Sequence, residues 1–346
     1  MSCISYRRLF IWFAALLLVS GLSLLQAADT GNTGPLRVGV ARLTHGHAGD
    51  VFESRKRGQI TITGIFEPDR ELARAYARRY GAEDIPVFGS LRGMIEKTSP
   101  EVVTAYGSIA EHLSVVEACA PRGVLVMVEK PLAFSADQAG AVESLARRHG
   151  IQVITNYATT WFPSFQAAFD LVRNQETVGE IRKVVIHDGH RGPKEIGCGA
   201  EFLNWLTDPL QNGGGALVDF GCYGAGLMTR LMDGQPPLSV TAVTQQIKPD
   251  IYPKVDDEAT IILTYPRAQA IIQASWNWPF DRKDMFIYGR SGYVFAPDSR
   301  NLLVRTAEAE ERASAAEPLA APYDNAFSYL TAVVRGQVRG SAALAR

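Results

Sequence analysis

Cysteine is scarce in this chain. There are four in 346 residues, at Cys3, Cys119, Cys198 and Cys222, and none stands in a CxxC spacing. Such usage signals neither a disulfide framework nor a zinc site. Cys119 falls in an apolar helix pattern and reads as core. An excess of one charge is also missing: 35 Lys and Arg stand against 36 Asp and Glu, a formal net of -1. That removes any reason to expect nucleic acid or an anionic membrane as a partner. Low-complexity tracts and short repeats are absent too, which excludes solenoids and collagen-like chains.

What is there begins with an N-terminal segment of its own kind. Arg7-Arg8 precedes an apolar stretch over residues 9–25, and Gln26-Ala27-Ala28 follows it. A charged, then apolar, then small-residue order describes an export signal over residues 1–28, removed near Ala27 or Ala28. The segment Tyr6-Arg7-Arg8-Leu9-Phe10 resembles a twin-arginine signal, which implies a periplasmic destination. The alternative is a membrane anchor through residues 9–25, at the lower limit for a bilayer span.

The remaining length suits two domains. Over residues 35–155 strand and helix patterns alternate: strands at Leu36–Ala41, Ile60–Phe66, Glu101–Ala105, Val124–Val128 and Gln152–Thr155, with helices at Asp69–Tyr80, from Ser108 to near Pro121, and at Ser135–His149. Such alternation predicts an α/β domain with a parallel, doubly wound sheet. Residues 156–335 read differently. Helices are predicted at Pro163–Arg173 and from Gly213 to about Met232, with strands at Glu180–His187, Ser239–Gln246, Ala259–Tyr265, Ala268–Trp276, Asp284–Tyr288 and Gly292–Phe295. Successive strands joined by short turns predict a second domain of α+β type with an open, mostly antiparallel sheet. Ala307–Pro322 reads as a loop or short helix, and Asp324–Arg335 as a helix.

A doubly wound domain that binds a dinucleotide carries Gly-x-Gly-x-x-Gly in its first strand–helix turn. That turn here is Arg42-Leu43-Thr44-His45-Gly46-His47, with Arg42, Thr44 and His47 at the glycine positions. Support for a dinucleotide comes instead from Glu67, at the end of the second strand, where an acid bonds ribose hydroxyls and disfavours a 2′-phosphate. The reading is NAD rather than NADP, with Thr44, His45, Gly46 and His47 around the pyrophosphate or the substrate. A metal on His45-x-His47 is not expected, because the sequence shows no third ligand nearby.

Glu129-Lys130-Pro131 ends the Val124–Val128 strand, ahead of the capping pattern Ser135-Ala136-Asp137-Gln138. A lysine is thereby held at the carboxyl end of a parallel strand, where open α/β sheets bind their ligands. Downstream stands Gly213-Gly214-Gly215-Ala216-Leu217-Val218-Asp219-Phe220-Gly221-Cys222-Tyr223. Together these motifs resemble the glucose–fructose oxidoreductase / inositol dehydrogenase family (Gfo/Idh/MocA), over roughly residues 35–329. The resemblance implies a Rossmann domain followed by an open-sheet domain, and NAD(P)-dependent oxidation of sugar or polyol hydroxyls. It also implies a homo-oligomer paired through the open sheet.

By the resemblance, Lys130, Asp219 and Tyr223 occupy catalytic positions, and Glu129 and Lys130 adjoin the cofactor. A tyrosine is a poor base at neutral pH, so an adjacent Lys130 is expected to lower its pKa. Asn156, Trp161, His187, His190 and Trp205 are candidates for the sugar pocket, and His112 aligns with a family histidine on the nicotinamide side. Two other functions stay open: a glycosidase that reduces bound NAD only transiently, and a non-catalytic sugar-binding relative. The resemblance further implies a closing helix beyond Asp324–Arg335, packed on the Rossmann domain, and this sequence shows none.

Overall fold

The computed structural model describes residues 34–338, so the predicted export signal, its apolar stretch over 9–25 and Cys3 lie outside the described residues. The first sheet has six strands: β1 (Leu36–Ala41), β2 (Ile60–Phe66), β3 (Val87–Phe88), β4 (Val102–Ala105), β5 (Leu125–Glu129) and β6 (Val153–Asn156). All pair in parallel, in the order β3-β2-β1-β4-β5-β6. Strand order reverses between β1 and β4, and this switch point opens a crevice at the strand carboxyl ends. β4 and β5 are buried at every position, as a sheet covered on both faces requires.

Local signals explain most boundaries. Asp69 caps the helix Arg70–Tyr80 by accepting from the N–H groups of Glu71 and Leu72, and left-handed Gly81 ends it. Ser108 and Glu111 form the predicted capping box, but it opens a 3-10 turn, Ile109–Glu111, ahead of the α-helix His112–Cys119. Four α-helices escaped the sequence reading: Ala48–Lys56 and Leu91–Thr98 here, and Ala200–Leu206 and Pro209–Asn212 in the second domain. Ala48–Lys56 is short and mostly polar, so its pattern shows little periodicity.

The second sheet has eight strands: β7 (Ile181–Gly189), β8 (Ser239–Gln245), β9 (Glu258–Thr264), β10 (Gln269–Ser275), β11 (Arg282–Gly289), β12 (Gly292–Ala296), β13 (Asn301–Thr306) and β14 (Ala309–Ala315). Their order is β14-β13-β12-β11-β7-β10-β9-β8. Only β7 and β10 pair in parallel, and the other neighbours are antiparallel. The fold is therefore α/β as predicted, a Rossmann sheet followed by a mostly antiparallel one.

Three predicted elements need correction. The stretch read as a loop or short helix contains β14, which pairs with the unrecognised β13. Every residue of β14 is exposed, so no apolar alternation marks it, and cross-strand hydrogen bonds override its Ala/Glu helix preference. The single helix expected from Gly213 to Met232 is two, Ala216–Asp219 and Gly221–Leu231, broken at Phe220. Finally, the flank for which a further closing helix was expected is covered by Ala326–Val334 itself. Phe327, Tyr329, Leu330 and Val333 of that helix join the core of the first domain.

Candidate functional site

Lys130 follows β5 directly, and its side chain is only 7% exposed. Its ammonium is ion-paired with the Asp219 carboxylate and donates to the Asp219 carbonyl at 2.9 Å. The one-turn helix Ala216–Asp219 holds the aspartate. Asp256 fixes the start of that helix, accepting from Gly215 N at 2.8 Å and Leu217 N at 2.7 Å. The backbones approach so closely that a Cβ on Gly215 would stand 1.8 Å from the Asp256 carbonyl oxygen, which explains the glycine at that position. Trp276 Nε1 donates to the other Asp219 oxygen at 3.0 Å.

This arrangement decides the charges. Burial alone would neutralise both partners of the pair. It is offset by their mutual attraction, so Lys130 is held well above the usual lysine range and Asp219 below the usual carboxylate range.

Tyr223 does not take the place expected of it. Lys130 Nζ lies 5.3 Å from the centre of its ring, over the π face, and no hydrogen bond joins the two. Burial, and then the charge of Asp188, push its phenol well above the ordinary tyrosine value. The expectation that Lys130 lowers this pKa is therefore corrected, because the ammonium is spent on Asp219. A second lysine, Lys283 on β11, sits over the same ring at 4.0 Å and is ion-paired with buried Asp188. Burial raises Asp188 to about 7 in spite of Lys283. Sequence reasoning missed Lys283, Trp276 and Asp256. Their partners are 40 to 95 residues distant, and only the polar run around Asp188 hinted at the second pair.

Glu129 faces the first turn. Its carboxylate lies 3.0 Å from His47 Nδ1 and accepts from Asn156 Nδ2 at 2.9 Å. Asn156 in turn accepts from Trp161 Nε1 at 3.2 Å, and the Trp161 ring packs on Tyr329. Asn156 and Trp161 thus brace Glu129 in the Rossmann half and do not join His187 and His190. Burial would raise Glu129, but His47 overcomes it and the carboxyl sits at about 2. His47 is itself raised, with Glu129 outweighing burial. His45 is buried and pushed down to about 3, hence neutral. Its ring meets Phe202 at 4.8 Å and Trp205 at 5.9 Å.

The structure supplies the third group that the sequence did not place near His45 and His47: ligand atoms of these two and Glu129 lie within 4.8 Å of one another. Nδ1 of each imidazole already has a partner, since His45 Nδ1 accepts from His47 N at 3.1 Å and His47 Nδ1 faces Glu129. Thr44 donates to the Tyr106 carbonyl at 3.2 Å, and Gly46 is exposed in the turn.

In the second domain, His187 Nδ1 lies 2.8 Å from Asp284. His190 accepts from Gly192 N and abuts Phe220 at 4.8 Å. His190, Phe220, Lys283 and Asp284 line a cavity of about 580 Å³ whose wall ends near Lys130, itself 5.8 Å from the Phe220 ring.

A dinucleotide fits the crevice at one end. Trp205 Nε1, beside His45, and His112 Nε2, whose ring partner Nδ1 binds the Leu132 carbonyl at 3.1 Å, are buried without hydrogen-bond partners. Buried polar atoms of this kind are satisfied by a polar ligand, such as a dinucleotide at the carboxyl ends of the strands. At the other end Glu67 differs from expectation. Its carboxylate is already engaged by Arg42 Nη1 at 2.7 Å, Leu43 N at 2.9 Å and Asp69 N at 3.0 Å.

Known proteins resemble the chain in both halves. The family model described as oxidoreductase family, NAD-binding Rossmann fold, matches residues 36–157, and that of the GFO/IDH/MocA C-terminal domain matches residues 165–295. Trans-1,2-dihydrobenzene-1,2-diol dehydrogenase of Sus scrofa is 26% identical over 211 residues, 61% of this chain and 58% of that protein. The Bos taurus enzyme of the same name is 27% identical over the same shares. The chain thus spans about three-fifths of the length of these relatives.

Among solved structures, aldose-aldose oxidoreductase from Caulobacter crescentus superposes with a TM-score of 0.73 at 20% identity, covering 90% of this chain and 94% of that one. An inositol dehydrogenase homolog from Azotobacter vinelandii, complexed with NAD+, gives 0.72 at 17% identity, covering 84% and 79%. At such identities these two show the shared fold. With its NAD-binding Rossmann domain and its open-sheet domain each matched, the chain belongs to the Gfo/Idh/MocA oxidoreductase family.

Proposed function

We propose that this protein is a nicotinamide-dependent oxidoreductase that interconverts a secondary hydroxyl and a ketone on a sugar, polyol or cyclic diol. The observation that carries the reading is the buried Lys130–Asp219 pair at the mouth of the crevice, in a chain whose relatives are named as diol dehydrogenases. A nicotinamide, when bound, supplies the hydride acceptor or donor. The protein's part is to manage the proton and the charge on oxygen.

Lys130 enters the reaction protonated and donates a hydrogen bond to the reacting oxygen, which steadies the alkoxide character that develops as hydride leaves, while the hydroxyl proton passes to water in the adjoining cavity. Asp219 orients the ammonium, and Trp276 orients Asp219. Tyr223 stays protonated, so its place in the proposed pair is that of a neutral phenol beneath the ammonium and not that of a base. The cavity by His190 and Phe220 receives the rest of the substrate.

The test is to purify the protein, release any bound nucleotide by denaturation, and then supply NAD+ or NADP+ with a panel of sugars, polyols and diols. Formation of reduced nucleotide with a diol or sugar is the expected result. Failure to hold or bind either nucleotide would sink the reading. Glycoside cleavage without net reduction would replace it with a glycosidase that recycles its cofactor.

A further inference from the structure

Arg42 stands where the dinucleotide fingerprint has its first glycine, directly after β1, and its backbone adopts the left-handed conformation with φ +69. A side chain is disfavoured in that conformation, so an arginine there has to be held by what it touches. Two carboxylates hold it. Nη1 donates to Glu67, at the end of β2, at 2.7 Å, and Nε lies 3.0 Å from Glu111, after β4, in an ion pair that lacks hydrogen-bond alignment. The guanidinium therefore crosses the strand ends on the adenosine side of the switch point.

The consequence falls on Glu67. Its side chain is 0% exposed, and both oxygens are occupied by Arg42 and the two backbone N–H groups of Leu43 and Asp69. A carboxylate so enclosed, with three of its roughly four acceptor sites filled, has little left to offer ribose hydroxyls. Its charge, which would repel a 2′-phosphate, is neutralised at contact distance. What the crevice presents instead is the Arg42 guanidinium, 21% exposed. Arg70, three residues on from Glu67, is exposed at the first position of its helix and without an ion pair among the described residues. Arg70 and Glu67 line one rim of a cavity of about 300 Å³. A planar guanidinium with spare N–H groups matches phosphate geometry.

We propose that Arg42 reads the adenosine ribose in place of Glu67, and that the chain accepts a 2′-phosphorylated dinucleotide at least as tightly as an unphosphorylated one. This rests on the nicotinamide-dependent function proposed above.

The experiment is isothermal titration calorimetry of the intact protein with NAD+, NADP+, 5′-AMP and 2′,5′-ADP. The Kd for NADP+ is expected to equal or undercut that for NAD+, and 2′,5′-ADP is expected to bind at least tenfold more tightly than 5′-AMP. Arg42→Gly suits the left-handed backbone and uncovers Glu67, so it is expected to shift the NADP+/NAD+ preference at least tenfold toward NAD+. Should that variant fail to unfold cooperatively, Arg70→Ala serves as a surface substitution, expected to weaken 2′,5′-ADP about threefold or more while leaving 5′-AMP unchanged. NAD+ binding tenfold more tightly than NADP+ to the unaltered protein would overturn the inference and leave the proposed function standing. Binding of neither dinucleotide would overturn that function as well.

Discussion

Two lysine–aspartate pairs with buried carboxylates flank the Tyr223 ring, and those carboxylates behave in opposite ways. Asp219, paired with Lys130, sits below the usual carboxylate range, while Asp188, paired with Lys283, is driven up to about 7. Burial is the same for both. The donors differ: Asp219 also accepts from Trp276 Nε1 at 3.0 Å, whereas Asp188 has only Lys283, whose side chain is 29% exposed. A buried carboxylate stays charged when its desolvation is met by more than one donor, and it drifts toward neutrality when it is not. The ammonium nearest the crevice is thus the one paired with a carboxylate that stays charged.

The largest expected effect comes from breaking the locked pair. Lys130→Met leaves Asp219 buried without its cation. Turnover should fall by a factor on the order of 100 to 10,000, and stability by roughly 3–5 kcal/mol. Steady-state kinetics and thermal melting read the two losses. Full activity in this variant would remove Lys130 from the mechanism.

Trp276→Phe sharpens the comparison by making Asp219 resemble Asp188. Loss of one hydrogen bond to a charged acceptor should cost about 1.5–3 kcal/mol, and the Asp219 carboxyl should move upward. Carbon-13 NMR of the labelled carboxylate would register the shift. An unchanged Asp219 titration would mean that Lys130 alone sets its charge.

The smallest effect belongs to the weaker pair. Because Asp188 is raised in the folded state, its contribution to stability is fully present below its unfolded value and is lost as pH rises through about 7. Asp188→Asn removes that titration. The variant is expected to lose less stability than Lys130→Met and to flatten the decline in melting temperature between about pH 4 and pH 7. A decline as steep as in the unaltered protein would put the titration elsewhere.

Much of the fold was legible because its signals are local. β1 and β2 are found where their apolar runs lie, and the cap at Asp69 and the capping box at Ser108 mark helix starts. β14 was not legible, since an exposed edge strand has no apolar face to announce it. Lys130 could be singled out from its strand and the following proline, and Asp219 from the family resemblance that the Gly213–Tyr223 motif carries. Their ion pair spans 89 residues and joins two domains, so no local pattern encodes it. Glu67 was placed at the end of the second strand, and Asn156 and Trp161 in the sugar pocket, yet their polar atoms turn to protein partners that only packing reveals.

The sequence by itself determined the two-domain α/β architecture, the lysine at the end of β5 and the loss of glycine from the first turn, because hydrophobic period, capping and backbone freedom act over a few residues. Tertiary structure alone decided which groups carry charge. It set Lys130 against Asp219, left the Tyr223 phenol protonated and closed Arg42 over Glu67, since burial and the proximity of distant charges exist only once the chain is packed.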